Sequence, residues 1–396
     1  MDFSRVDLDA DDAAFLQQTR AFVEKHVTDE VRARDRRTGE NFDEQVHLAL
    51  GEAGYLAWDW NCEAEGGFTP LRRRIFELEI ARAHTPWYHW GTTSVVARLV
   101  QQFGAPELTD RVLPGVLSGQ IRLCLGYTEP DGGSDVATCK TRAVRAADGA
   151  WIINGAKMFT SNAHNAQYVF LLTNTDPQGR KHRNLTMFLV PLDSPGVEIR
   201  GIRTVDGDRT NIVFYSDVRV DDLYRIGEVN GGWTVMRSAL DSEHGIGERD
   251  EHGLQEIATM AGHGNLMAEA VDAVAAALSR AGPDGRRPVD DQAVAYRLGR
   301  CVARVEAAQG TPTMFGRVAI AQTMRDVSTE LMDLLGAAGA LPTDAEGSPD
   351  GGAAEYVFRL AVPTGIYGGT LEVFRNMIAE HALGLGRASY GQATAL

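Results

Sequence analysis

Residues 151 to 174 read WIINGAKMFTSNAHNAQYVFLLTN, and the texture of this stretch decides the fold class. Apolar and β-branched residues come in short runs, Trp151 to Ile153 and then Tyr168 to Leu172, with polar turn formers between them. Such runs predict strands. The pattern extends both ways, through TRAVRA (141–146) upstream and NLTMFLVPL (184–192), GVEIRGI (196–202) and NIVFYSDVRV (211–220) downstream. Asp148-Gly149 and Asn154-Gly155 read as the turn signals of an antiparallel β domain, residues 122–228.

Outside that domain the period changes. Phe15, Phe22 and Val23, and later Val95, Val96, Leu99 and Val100, recur at helical spacing, so residues 1–121 are predicted helical. After Gly231-Gly232 the helical period returns, broken by the loops AGPDGRRP (281–288) and TDAEGSPDGG (343–352), and residues 229–396 form a third domain. The fold class is therefore α+β, in the order helices, sheet, helices.

Composition narrows the function. With 396 residues and 44% hydrophobic content the chain can bury a large core in two or three domains. A formal net charge of −15 argues against a nucleic-acid partner, whose phosphates it would repel. Cys62, Cys124, Cys139 and Cys301 are widely spaced, with no CxxC pair and no His at metal-ligand spacing. They read as buried thiols of a reducing compartment, with no metal. The start, MDFSRVDLDADDAAF, is acidic and lacks an apolar segment, and no uncharged run is long enough to span a membrane. A soluble, cytoplasmic protein is expected.

Three segments could carry chemistry. In LGYTEPDGGSD (125–135), Thr128 and Ser134 supply hydroxyls, Pro130 fixes a turn, and Gly132-Gly133 let backbone approach a ligand or form a surface turn. In KMFTSN (157–162), Phe159 stands beside Thr160 and Ser161 directly after a strand. An aromatic face flanked by hydroxyls can hold a flat heterocycle, although a Phe taken by itself is more often core than platform. In TGIYGGTLEVFRNMIAEH (364–381), Thr370 suits an N-cap, Glu372 sits in the first turn, and Leu371, Phe374 and Ile378 share a helical face. The glycines before them either expose backbone N–H groups to an anion or polarised carbonyl, or make a tight turn between packed helices.

Taken together, YTEPDGGSD, NGAKMFTSN, RIGEVNGGW (225–233) and IYGGTLEVFRNMIAEHALGLGR (366–387) resemble the acyl-CoA dehydrogenase family, in the family's order and over nearly the whole chain. The resemblance implies an N-terminal helical domain, a middle antiparallel β domain and a C-terminal four-helix bundle. It implies FAD, bound non-covalently between the β domain and the C-terminal helices, and α,β-dehydrogenation of an acyl thioester on CoA or a carrier protein. Hydride would pass to flavin N5, and electrons onward to an electron-transfer flavoprotein. By position, Leu125, Tyr127, Thr128, Gly133 and Ser134 would line one side of the flavin and Phe159, Thr160 and Ser161 the other. Thr370 and Glu372 would lie near the FAD of a neighbouring subunit, implying a homodimer or homotetramer.

That reaction needs a base for the α-proton. Many members carry Glu at the position of Gly368, and this sequence does not. In the branch resembling isovaleryl-CoA dehydrogenase, a Glu on the first long C-terminal helix serves instead, and GWTVMRSALDSEH (232–244) places Glu243 there. Trp233, Met236 and Leu240 would give it an apolar setting that raises its pKa. Glu248, followed by Arg249, is the alternative base. Ser134, Asp241, His244, Tyr367, Gly368 and Gly369 would contact substrate, with the Gly368 N–H donating to the thioester carbonyl. A glycine there also leaves room for a branched or bulky acyl group. Trp87, Tyr88 and Trp90 would wall the pocket or pack in the core.

Two departures keep other readings open. The family's Arg-x-x-Phe-Gly segment is replaced by AGPDGRRPVDDQ (281–292), and its Gln-x-x-Gly-Gly segment by DLLGAAG (333–339). Both changes would alter adenine and pyrophosphate binding, as in members built from unequal pairs of subunits. A non-catalytic or half-site subunit of a hetero-oligomer is thus one alternative. A flavin oxygenase or oxidase on the same fold is another.

Overall fold

The computed structural model describes residues 7–243, 260–311, 313–343 and 345–386, with backbone alone for 241–243, 261 and 313. The chain forms two compact units, Met1–Leu240 and Asp241–Leu396.

The first unit opens with helices α1 (Ala10–His26), α2 (Asp29–Thr38), α3 (Glu44–Glu52), α4 (Tyr55–Trp60), α5 (Pro70–Arg82), α6 (His89–Phe103) and α7 (Pro106–Leu117). Their starts follow local chemistry. The Asp9 carboxylate accepts from the Asp12 N–H at 2.8 Å, and Thr69 caps α5 just before Pro70 by accepting from the Arg72 N–H at 3.1 Å. Phe15, Tyr55, Phe68 and Phe76 fill the core between these helices, with Tyr55 and Phe76 stacked at 5.1 Å. Trp90 is core as well, its indole N–H donating to Asp59 at 2.7 Å, whereas neighbouring Tyr88 is exposed.

The sheet follows: β1 (Leu123–Gly126), β2 (Arg142–Arg145), β3 (Trp151–Lys157), β4 (Tyr168–Asn174), β5 (Leu185–Pro191), β6 (Val197–Arg203), β7 (Arg209–Val220) and β8 (Arg225–Ile226). Its order is β6-β7-β3-β2-β4-β5-β8, with β1 beside β4. Most pairs are antiparallel, as expected, but β1 pairs with β4 in parallel from Leu123↔Tyr168 to Gly126↔Leu171, and β2 touches β4 in parallel at Arg142↔Asn174. The chain reaches β1 from α7, and two strands separate β1 from β4, so no hairpin constrains their direction.

Asp148-Gly149 does make the β2–β3 turn, with Gly149 at φ +91°. Asn154-Gly155 does not make a turn. The pair lies inside β3, where the register against β7 shifts between Ile153 and Gly155. Gly155 is required there because its φ is +150° and a Cβ would fall 2.6 Å from the Thr141 hydroxyl. Within this unit the helical part is tied to the sheet by polar contacts: Arg209 N–H to the Gly39 carbonyl and Asn41 to Asp208, both 2.7 Å, and Glu40 with Arg209 and His164.

Helix α8 (Gly232–Glu243) leads out of the first unit, its Val235, Met236 and Ala239 buried in that unit's core. In the second unit α9 (Ala261–Leu278), α10 (Gln292–Gln309), α11 (Thr313–Leu335) and α12 (Ala353–Thr364) pack around Met267, Val274, Val305, Met324, Leu331 and Val357. This is the four-helix bundle expected. A short helix, α13 (Leu371–Met377), and a π-helical turn follow. Cys124, Cys139 and Cys301 are buried as predicted; Cys62 is exposed, because it falls in the loop after α4. Among the described residues no helix is long and apolar enough to cross a membrane.

Candidate functional site

In the first unit the two candidate motifs meet at the end of β3. Strand β1 delivers the chain to Tyr127, and a tight turn closes with Glu129 N–H and carbonyl bonded to the Gly132 carbonyl and N–H, each at 3.1 Å. The Glu129 side chain points inward. It accepts from the Lys140 N–H at 2.7 Å, the Thr141 N–H at 2.8 Å and the fully buried Lys157 ammonium at 2.8 Å. Lys157 also donates to the Tyr127 carbonyl at 3.1 Å, and the Met158 N–H to the Thr128 carbonyl at 2.8 Å. Burial would raise the Glu129 carboxyl, but the Lys157 charge and the bonds from Lys157, Thr141 and Lys140 overcome it and bring the carboxyl down to about 2. The same environment, burial first, pushes the neighbouring Cys139 thiol up to about 11, so it stays protonated.

This pairing places the predicted flavin residues as follows. Leu125 and Tyr127 are half-buried and pack against the unit's core. Thr128 is half-buried, with Gly133 so close that a Cβ there would lie 3.2 Å from the Thr128 methyl. Ser134 is exposed. Beyond β3, Phe159 adopts a left-handed backbone at φ +56° and leaves its ring 54% exposed, a costly arrangement for a lone apolar side chain. Thr160 behind it is fully buried and pinned through its backbone to Asn211, at 2.9 and 3.0 Å. The hydroxyl of Thr160 and both amide atoms of Asn162 find no hydrogen-bond partner among the described residues. Ser161 is exposed, its hydroxyl 3.0 Å from that of Thr210. An exposed ring beside an unsatisfied buried hydroxyl suits a flat group with hydrogen-bonding edges. The residues present therefore fit the flavin of FAD.

In the second unit the glycine pair makes a turn before α13. Gly368 has φ +60° and Gly369 φ +95°, a succession that side-chain-bearing residues resist. Thr370 caps α13 by accepting from the Val373 N–H at 3.3 Å, and exposed Glu372 pairs with Arg375 at 3.5 Å. Tyr367 is 37% exposed, its hydroxyl 2.6 Å from His263 Nε2 on α9. Burial, and secondarily the charge of Arg317, lower the His263 pKa to about 4, so this imidazole is neutral at pH 7. Arg317, on α11 and 2% exposed, donates to the carbonyls of Tyr367 at 2.6 Å and Gly369 at 3.2 Å.

The candidate base is Glu243, the last residue of α8, whose side chain lies outside the described residues, as does that of Asp241. His244 and Glu248 lie outside them altogether. Lys157, Arg317 and His263 are not singled out by the sequence reading. Lys157 could be found as a lysine on the buried face of a strand, and Arg317 as a cation in the apolar run MFGRVAIA; His263 carries no comparable signal.

Comparison with known proteins agrees with this architecture. Residues 9–120 match the family description "Acyl-CoA dehydrogenase, N-terminal domain" and residues 124–222 match "Acyl-CoA dehydrogenase, middle domain". The chain is 33% identical over 369 residues to acyl-CoA dehydrogenase IpdE1 of Mycolicibacterium smegmatis, covering 87% of this chain and 88% of that one. A longer curated relative is 36% identical over 202 residues, and the match spans 28% of its length. Among solved structures, the Tcur3481-Tcur3483 steroid ACAD superposes with TM-score 0.81 at 28% identity, over 98% of this chain and all of that one. The ChsE4-ChsE5 complex from Mycobacterium tuberculosis gives 0.80 at 27%, over 97% of this chain and all of that one. With both domain matches and a relative aligned along nearly its full length, the chain belongs to the acyl-CoA dehydrogenase family of oxidoreductases.

Proposed function

We propose that this chain catalyses the FAD-dependent α,β-dehydrogenation of an acyl thioester, with Glu243 as the base. The reading is supported above all by the glycine turn: at φ +60°, Gly368 offers an N–H and no carboxylate, so the α-proton must be taken from elsewhere in the fold. Members of the family are FAD flavoproteins, and bound FAD would supply the two-electron acceptor that receives hydride from the β-carbon. The protein's own part is placement and proton transfer. Leu125, Tyr127, Thr128, Gly133 and Ser134 hold one side of the flavin, Phe159, Thr160 and Ser161 the other, and Thr370 and Glu372 serve the FAD of a neighbouring subunit. Glu243 takes the α-proton while the Gly368 N–H donates to the thioester oxygen, where negative charge develops. Asp241, His244, Tyr367 and Gly369 contact the substrate, and the electron acceptor is an electron-transfer flavoprotein.

The substrate class we favour is a bulky, polycyclic acyl thioester. The absent side chain at Gly368 makes room for it, and one similar structure is that of a steroid ACAD. A second reading has a specific support: another similar structure is a complex of two different chains, and the segments 281–292 and 333–339 depart from the family pattern here. In that reading the chain works with an unequal partner.

One experiment separates these. The chain is purified alone and with a related co-expressed chain, its FAD content is measured, and a panel of straight, branched and steroid side-chain thioesters is scanned anaerobically for flavin bleaching. Yellow, reducible protein from the single chain supports the first reading; colour gained only on co-expression supports the second. Glu243→Gln should keep FAD and lose reduction by about 10²–10⁴-fold. Full activity in that variant would remove Glu243 as the base.

A further inference from the structure

We propose that Arg317 is a positioning residue that aims and polarises the Gly368 N–H, acting through the peptide bond between Tyr367 and Gly368. The proposal rests on the acyl-thioester reading above. Its starting point is what Arg317 bonds. The guanidinium donates to the Tyr367 carbonyl at 2.6 Å and to the Gly369 carbonyl at 3.2 Å, the two carbonyls that bracket Gly368. The side chain is almost wholly buried, its guanidinium 5.3 Å from the Phe374 ring centre and 5.9 Å from that of Tyr367.

The Tyr367 carbonyl and the Gly368 N–H belong to one planar amide. There are no cis peptide bonds among the described residues, so the two groups point in opposite directions. A cation fixed on the oxygen therefore aims the N–H away from Arg317. It also draws electron density through the conjugated amide, so the N–H becomes a stronger donor. Burial enlarges both effects, because little water screens the charge. The second bond, to Gly369, stops the turn from rotating about Gly368, whose left-handed conformation would otherwise be one of several open to glycine. Tyr367 is held from its far end as well, where its hydroxyl meets His263 at 2.6 Å. A pre-aimed, strengthened donor favours the enolate-like oxygen of the transition state over the ground-state carbonyl, which raises kcat more than it lowers KM.

The test has two arms on the full-length FAD-loaded protein. Tyr-Gly steps occur at 367–368 and 390–391 in the sequence, so carbonyl-13C tyrosine with 15N glycine gives two amide NMR signals, and Gly391→Ala assigns them. Arg317→Met should move the Tyr367 carbonyl and Gly368 nitrogen signals upfield, while Arg317→Lys, which can still donate to one carbonyl, should move them less. In the second arm, with the most active thioester of the panel, Arg317→Met should lower kcat about 10- to 100-fold with little change in KM, less than removing an oxyanion donor outright. Should Arg317→Met fail to fold, the same pair of readouts on Arg317→Lys, with smaller changes of the same sign, decides the question. Unmoved signals in a folded variant overturn the proposal whatever the substrate. Moved signals with an unchanged kcat overturn its catalytic half. A wild-type protein that carries FAD and shows the signals, yet reduces none of its flavin with any thioester, overturns the reading on which that half rests and leaves the turn geometry standing.

Discussion

Two buried cations stand beside the candidate sites of this protein, and the bonds they make do different work. Lys157 in the first unit meets a carboxylate, Glu129, and the Tyr127 carbonyl. Arg317 in the second unit bonds the two carbonyls around Gly368. A cation facing a carboxylate is largely neutralised where it sits, so its effect is local: it locks the 127–132 turn onto β3. The bonds from Arg317 to peptide oxygens polarise the amide toward the N–H on its other side. The first arrangement makes a rigid shelf, and the second makes a directed donor.

The largest effect should come from breaking the first pair. Lys157→Met leaves the Glu129 carboxylate buried without its counter-ion and should cost about 3–5 kcal/mol in urea unfolding. Adding Glu129→Gln, which removes the buried charge and whose single oxygen still accepts from one of the Lys140 and Thr141 N–H groups, should recover part of that loss. A cost under about 1 kcal/mol for Lys157→Met, the range of an exposed pair, would mean the pair is not the lock described.

Acid should reveal the same pair more gently. Glu129 has a carboxyl depressed from 4.5 to about 2, so its stabilisation is complete above pH 4.5 and is lost as pH falls through 2. This is worth roughly 3 kcal/mol in the wild type by linkage. The Lys157→Met/Glu129→Gln variant should lack that part of the acid limb when unfolding free energy is followed from pH 5 to 2. Parallel curves for the two proteins would contradict it.

The smallest effect sharpens the second region. Gly368→Ala forces a side chain into the left-handed region and should cost about 1–2 kcal/mol in unfolding. Gly149→Ala, at φ +91° in an open turn with nothing near its Cβ position, serves as the control for backbone strain alone. A larger loss of flavin reduction in Gly368→Ala than in Gly149→Ala, at matched stability, would tie the turn to substrate.

Much of this was legible in the sequence for a plain reason: it is local. Hydrophobic period separates helix from strand, and Thr370 caps α13 from its own hydroxyl. The glycines at 368 and 369 announce a left-handed turn because little else tolerates one. Where the local signal was ambiguous the reading slipped, as at Asn154-Gly155, whose glycine serves a bulge against β7 that only the sheet partner reveals.

What only the tertiary structure decided are the contacts between distant segments. Glu129 and Lys157 stand 28 residues apart, and Arg317 and Tyr367 stand 50 apart. No spacing rule links such pairs, because the strand register and the packing of α11 against the turn bring them together, and those depend on the whole core. The sequence by itself determined the order of helices and sheet, the family and the glycine turn. That Lys157 meets Glu129 and that Arg317 meets the Tyr367 and Gly369 carbonyls was settled by folding, since burial strengthens an electrostatic contact only after distant chain has closed around it.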